Sequence, residues 1–261
     1  MILNFYKYEG AGNDFILLDD RDSSFPVIHN DLVKKLCDRK FGIGADGLLL
    51  LRSHPGYDFN MVYYNSDGRE STMCGNGGRC IAAFANKLGV VQRKAKFMAI
   101  DGEHIAEVMD DNYVKLKMMD VANIESGRGY YYLNTGSPHY VTFTSAVNEL
   151  DVCKEGRAIR YNERFHDKGT NVNFVQDFGE YLFVRTYERG VENETLACGT
   201  GVVAAVISAY LNRGDDKISF TLPVKVMGGS LQVSLDKTRD SFTNIWLEGP
   251  ATFVFKGNIE L

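Results

Sequence analysis

The sequence predicts two similar domains of mixed strand and helix content, in pseudo-twofold relation, and three observations predict it. "GRESTMCGNGGRCIAAFA" (Gly68 to Ala85) and "ENETLACGTGVVAAV" (Glu192 to Val206) share one frame, Glu-x-x-x-Cys-Gly-x-Gly. Glu70 and Cys74 match Glu194 and Cys198 at a single offset, 124 residues. Each frame opens an apolar, helix-like run that closes at a glycine, Gly89 in the first half and Gly214 in the second. Strand-like stretches flank both runs in the same order.

Taken along the chain, Asn30 caps a short helix, "DLVKKLCDRK", which runs to the loop "FGIGADG". "LLLL" and "FNMVYYN" then read as strands. Beyond the first frame, Ala95 to Met118 alternates apolar and polar residues, with turn chemistry at Asp101-Gly102 and Asp111-Asn112. That pattern predicts a meander of three antiparallel strands. In the second half, "YYYLNTGSPHYVTF", "NVNFVQ" and "YLFVRTYERG" read as strands, and a helix follows Cys198. "KISFTL", "LQVSLD" and "ATFVFKGNIEL" are further strands, with a turn at Gly228-Gly229. No low-complexity linker parts the halves, so the repeat alone sets a boundary near Val121.

With 261 residues, 44% hydrophobic and 24% charged, the composition is that of a soluble globular protein. A net charge of −5 gives no basic surface for nucleic acid or membrane, and neither partner is expected. Met1 to Glu9 lacks the charged start and apolar centre of a signal peptide. Five cysteines, an odd number, argue against a disulfide framework and for a reducing cytoplasm. There is no H-E-x-x-H, no Walker loop and no convincing dinucleotide fingerprint, so the sequence requires neither metal nor cofactor. "GIGADG" reads as a turn.

The chemistry lies in the two frames. A thiol at a helix N-terminus has its anion stabilised by the dipole and the unpaired amides, and becomes a usable base near neutral pH. Gly75-Asn76-Gly77 and Gly199-Thr200-Gly201 offer backbone donors suited to a carboxylate. If both helix starts address one α-carbon across a cleft, one thiolate removes the α-proton and the opposite thiol returns a proton to the other face. Cys37, Cys80 and Cys153 read instead as small buried apolar residues. Zinc is a poor reading, because Cys74 and Cys80 lack C-x-x-C spacing and no histidine flanks them.

At these residues the chain resembles the diaminopimelate epimerases, cofactor-independent amino-acid epimerases related to the proline racemases. The resemblance runs in order through "GAGNDF", "FGIGADG", "NSDG" with "CGNGGRC", "GSPHYV", "NVNF" and "YERGVENETLACGTG". It implies an α+β fold of two domains, each a curved antiparallel-rich sheet around a central helix. The C-terminal strand "ATFVFKGNIEL" would return to the first domain, giving domains of 1–120 plus 250–261 and 121–249. It further implies a homodimer, no cofactor, and conversion of LL-diaminopimelate to the meso form for lysine and peptidoglycan precursors.

Carried over by motif, Cys74 and Cys198 would be the acid/base thiols, with His139 and Glu188 tuning their ionisation. Gly75, Asn76, Gly199 and Thr200 would hold the reacting carboxylate. Asn13, Asn65, Asn171, Glu188 and Arg189 would hold the rest of the substrate. An arginine suits the far carboxylate, and amide or carboxylate acceptors suit the far ammonium. Without the motif, Glu188 and Arg189 would read as an ordinary exposed ion pair. The resemblance assigns proton removal from the LL isomer to Cys74, a direction that the matched frames by themselves leave open.

The chain departs from many relatives at Gly47, where they carry Gln, and at Ser137, where they carry Asn. "GVENETLAC" is also one residue longer than the common form. Racemisation of another amino acid such as proline, non-catalytic amino-acid binding and a Cys74–Cys198 redox sensor are the alternatives. Glu188 and Arg189 would lack a charged far end to bind in the first of these.

Overall fold

A computed structural model describes residues 2–25, 30–110 and 112–261, and its chain divides into two units, Met1–Leu116 with Gly249–Leu261 and Lys117–Glu248. The first unit contains β1 (Ile2–Gly10), β2 (Asn13–Asp19), α1 (Asn30–Cys37), β3 (Gly47–Arg52), β4 (Phe59–Asn65) and β5 (Glu70–Ser71). These are followed by α2 (Gly75–Lys87), β6 (Lys94–Ala99), β7 (Gly102–Val108) and β8 (Tyr113–Lys117). Parallel pairing joins β2 to β3 and β4 to β6; the pairs β1–β2, β3–β4, β4–β5, β6–β7 and β7–β8 are antiparallel.

The second unit contains β9 (Glu125–Gly127), β10 (Tyr130–Asn134), β11 (Pro138–Phe143), α3 (Val152–Arg160), β12 (Asn171–Asp177) and β13 (Leu182–Glu188). After these come β14 (Asn193–Thr195), α4 (Gly199–Arg213), β15 (Ser219–Val226), β16 (Gly229–Lys237) and β17 (Phe242–Pro250). It repeats the connectivity of the first: β11–β12 and β13–β15 are parallel, and β10–β11, β12–β13, β13–β14, β15–β16 and β16–β17 are antiparallel. The last strand, β18 (Thr252–Glu260), pairs antiparallel with β1 in the first unit.

"LLLL" is continuously apolar because its sheet is covered on both faces. Ile16, Leu18, Leu48 and Leu50 pack with Val33 and Leu36 of α1, and the alternate set, including Leu49, is left for α2. In the second unit α3 fills the place of α1, with Val152 packed on Val172, Phe174 and Tyr187. Helix α4 is buried from Val202 through Tyr210 and packs against β10, β11, β12, β13, β15 and β16. Such a helix, apolar all round, is what a surrounding sheet requires. Both central helices end alike. Gly89 (φ +71°) and Gly214 (φ +66°) adopt the left-handed conformation, and the amides of Val90 and Asp215 return to the carbonyls of Ala85 and Tyr210.

Several expectations need correction. Helix α1 stops at Cys37 because Asp38 Oδ1 accepts the amides of Lys40 and Phe41 and turns the chain. "YYYLNTGSPHYVTF" is two strands, folded at Gly136 (φ +110°). Helix α3 and the strands β1, β2, β5, β9, β14 and β17 are not among the elements expected from the sequence. Gly156 weakens the helical signal of α3, yet a Cβ there would lie 2.4 Å from Tyr187 Cβ, so close packing excludes a larger residue. Cys153 is exposed on α3, not buried, whereas Cys37 and Cys80 are buried as expected. Asp111, half of one expected turn, lies outside the described residues. Among the described residues no helix is long and apolar enough to cross a membrane.

Candidate active site

Each cysteine of the repeated frame is the N-cap of a central helix. Cys74 (φ −100°, ψ 145°) precedes α2, and Cys198 (φ −118°, ψ 107°) precedes α4. Extended backbone at the cap turns the side chain back over the first helical turn, whose amides have no partner within the helix. The Gly77 amide donates to Cys74 Sγ at 3.2 Å, and Cys198 Sγ lies 3.5 Å from Thr200 Oγ1. Gly75, Asn76, Gly199 and Thr200 therefore stand at helix starts, where an anion is favoured.

The glycines two residues on, Gly77 and Gly201, are required by close approach. A Cβ on Gly77 would lie 3.1 Å from Cys74 Sγ, and one on Gly201 would lie 2.4 Å from Asn173 Oδ1.

Around the first cap, the structure gathers Asn13, Asn76 and two residues that sequence reasoning missed, Asp46 and Arg79. Asn13 Nδ2 donates to Asp46 Oδ2 at 2.6 Å, and Asn76 Nδ2 donates to Asn13 Oδ1 at 3.3 Å. Arg79 Nη2 donates to Asn76 Oδ1 at 2.8 Å. Asp46 and its neighbour Asp14 are tied by Arg39, and Lys7 pairs with Asp14 at 2.7 Å. Burial works to raise the Asp14 pKa, but the bonds and charges of Arg39 and Lys7 prevail and hold it at about 2. The "GIGADG" turn is thus the support of Asn13. Asn65 ends β4, opposite Gly47 on β3. Gly47 has no room for a side chain, since a Cβ there would lie 2.6 Å from both the Tyr63 ring and the Tyr64 carbonyl oxygen.

Around the second cap, the structure gathers Ser137, His139, Asn171, Arg189 and Thr200, with Asn173 and Thr186 as unanticipated members. His139 is fully buried, and burial lowers its pKa to about 3, with the nearby Arg189 charge acting in the same direction. The imidazole is therefore neutral. Asn173 Oδ1 accepts from Thr186 Oγ1 at 3.0 Å, and Nδ2 donates to the Tyr140 carbonyl at 3.1 Å. That orientation leaves Nδ2 to donate to His139 Nδ1, also at 3.1 Å, so the ring proton sits on Nε2. Nε2 lies 2.9 Å from Thr200 Oγ1 and donates to it, which turns the threonine hydroxyl proton toward Cys198 Sγ. A neutral relay thus reaches from the sheet to the sulfur.

Asn171 Nδ2 donates to Ser137 Oγ at 2.9 Å, and Asn171 Oδ1 accepts the Arg189 amide at 2.8 Å. The Ser137 hydroxyl thus anchors the Asn171 amide. Glu188 and Arg189 do not form the ion pair that adjacency offered. Thr195 Oγ1 donates to Glu188 Oε2 at 3.0 Å, and burial raises the Glu188 pKa while that hydroxyl opposes the rise. The exposed Arg189 guanidinium donates to the Lys168 carbonyl at 3.0 Å and lies 3.5 Å from Ser137 Oγ. Among the described residues it has no carboxylate partner.

Comparison with known proteins decides the family. The family model for diaminopimelate epimerase matches residues 5–124 and 131–254. The chain belongs to the diaminopimelate epimerase family. A diaminopimelate epimerase of Flavobacterium psychrophilum is 48% identical over 98% of this chain and 100% of its own length. Another, of Chlorobaculum tepidum, is 41% identical over 97% and 99%. Among solved structures, a phenazine biosynthesis protein of the PhzF family from Bacillus anthracis superposes with a TM-score of 0.77 at 14% identity over the whole of both chains. A hydroxyproline epimerase from Agrobacterium vitis gives a TM-score of 0.70 at 12% identity, over 99% and 92%. At these identities the likeness speaks to the fold alone.

Proposed function

We propose that this protein epimerises LL-2,6-diaminopimelate to meso-diaminopimelate by proton transfer at one α-carbon between two thiols, Cys74 and Cys198. The observation that carries the reading is the doubled frame, which makes a cysteine the N-cap of the central helix in each unit. In the thiolate form one sulfur removes the α-proton; the other, as a thiol on the opposite face, delivers its proton and inverts the centre. The first-turn groups at Gly75, Asn76, Gly199 and Thr200 hold the α-carboxylate, where the helix ends favour the charge that develops in the transition state.

Arg189 binds the distal carboxylate. The acceptor groups of Asn13, Asn65, Asn171 and Glu188 fix the remaining polar atoms. His139 acts on Cys198 through Thr200. A racemase of an amino acid without a second charged end would leave the Arg189 guanidinium with no carboxylate to bind. The enzyme works in the cytoplasm as a homodimer without cofactor, supplying lysine and peptidoglycan precursors.

The test is incubation with LL-diaminopimelate in heavy water under a thiol reductant, followed by proton NMR. Loss of the α-proton signal with appearance of the meso isomer is expected. A persistent signal from bound substrate would replace the epimerase reading with that of an amino-acid binder.

A further inference from the structure

Arg79 is wholly buried on α2, five residues after Cys74. A guanidinium in that position needs a reason, because burying a charge is costly unless every donor is satisfied. Its donors reach the Pro250 carbonyl at 3.3 Å, the Gly75 carbonyl at 3.3 Å and Asn76 Oδ1 at 2.8 Å. Among the described residues it forms no ion pair, so its positive charge is not cancelled by a carboxylate in contact. Burial works to lower the Arg79 pKa, and the thiols of Cys80 and Cys74 and, from β1, Glu9 act against that lowering. Cys80 is itself buried, and desolvation raises its pKa far out of the working range. On the other elements packed against α2, Lys7 of β1 is paired with Asp14 of β2, Arg52 of β3 with Asp20, and His104 of β7 with Asp101.

We propose that the buried guanidinium of Arg79 is a positioning residue of the first half-site, holding the Asn76 amide in one orientation and supplying the positive charge against which the Cys74 sulfur is kept as an anion. The polarity of the chain Asp46–Asn13–Asn76–Arg79 follows from its ends. A carboxylate only accepts, so it fixes Asn13 Nδ2; a guanidinium only donates, so it fixes Asn76 Oδ1. Asn13 Oδ1 and Asn76 Nδ2 are then left to meet each other, as they do. Neither amide can flip without setting like against like. At the matching position of the second unit, 124 residues on, stands Val203, so this device belongs to the Cys74 half alone.

The inference deepens the epimerase reading and rests on it, and its first readout makes no use of turnover. Full-length wild type and Arg79→Met are alkylated with iodoacetamide across pH 6 to 10, and Cys74 is followed by peptide mass spectrometry. The exposed Cys153 is the internal reference. Arg79→Met is expected to slow modification of Cys74 at pH 7 about tenfold, the equivalent of one pKa unit, with Cys153 unchanged. Arg79→Lys keeps the charge but not the fork. It is expected to hold the Cys74 profile within about threefold of wild type while KM rises more than kcat falls. An unaltered Cys74 profile in Arg79→Met, or an equal change at Cys74 and Cys153, would overturn the proposal. If Arg79→Met does not fold, an Arg79→Lys enzyme with wild-type KM does the same.

Discussion

The two helix starts carry one frame but rest on different supports. Behind Cys74 the strands present Phe15, Leu49 and Tyr63, with the Phe15 and Tyr63 rings edge to face at 6.0 Å. Behind Cys198 the matching places hold His139, Asn173 and Thr186, bonded in series. The match is set by register: Phe15 faces Gly47 and Leu49 faces Tyr63 in the first unit, as His139 faces Asn171 and Asn173 faces Thr186 in the second. The helices exchange character in the opposite sense, Arg79 against Val203. One thiol is therefore backed by an apolar sheet and a buried guanidinium, the other by a neutral hydrogen-bonded relay and an apolar helix. The difference teaches that a duplicated helix-cap cysteine need not be electrically duplicated. A reaction that requires one thiolate and one thiol gains from supports that favour different protonation states.

The severest way to break the comparison is to remove either sulfur. Cys74→Ala and Cys198→Ala are each expected to lower kcat by about a thousandfold or more, read as meso-diaminopimelate formed, since positioned acid/base groups contribute on the order of 10²–10⁴. Full turnover in either variant would end the two-thiol mechanism. His139→Phe installs in the second unit the residue that the first unit carries. It is expected to cut kcat about a hundredfold and KM little, because the relay through Thr200 is lost while the binding groups remain. Arg189→Ala is expected to raise KM roughly tenfold to a hundredfold, the scale of a charged hydrogen-bonded pair, with a smaller change in kcat.

Stability sharpens the contrast further. Gly201→Ala drives a methyl group toward Asn173 Oδ1, and urea unfolding should show a loss of about 1–3 kcal/mol. Gly77→Ala, whose new carbon has Cys74 Sγ, Met61 and Leu49 as its nearest neighbours at 3.1 Å or more, should lose less. The smallest effect at neutral pH is the titration of His139. Its folded pKa, about 3, lies below the unfolded value near 6.5, so the unfolded chain takes up the proton first. The contribution is whole above pH 6.5 and is lost as pH falls from 6.5 to 3. His139→Asn should flatten that part of the curve of unfolding free energy against pH.

Much of the site was legible before any fold. Helix capping is local: a cysteine followed by Gly-x-Gly, and a glycine that ends the run, are signals spanning a few residues. For the same reason Cys74 and Cys198 stood out, and the matched frames could be counted by eye. Asp46 and Thr186 carried no such signal, because their importance arises from partners 33 and 13 residues away. Asn173 carries a weaker signal: it alternates with Asn171 along one face of β12, and two buried amides on a strand face demand partners. Arg79 sat in plain view inside "CGNGGRC", but nothing local says that a helical arginine will be wholly buried.

The sequence by itself determined the doubling, the caps and closures of both central helices, the apolar strands and the family, because each is written in residue types at short spacing. Tertiary structure alone decided what stands behind each sulfur. The supports of His139, Asn13 and Cys74 come from strands and turns distant along the chain, and only sheet register and close packing choose which of them meet.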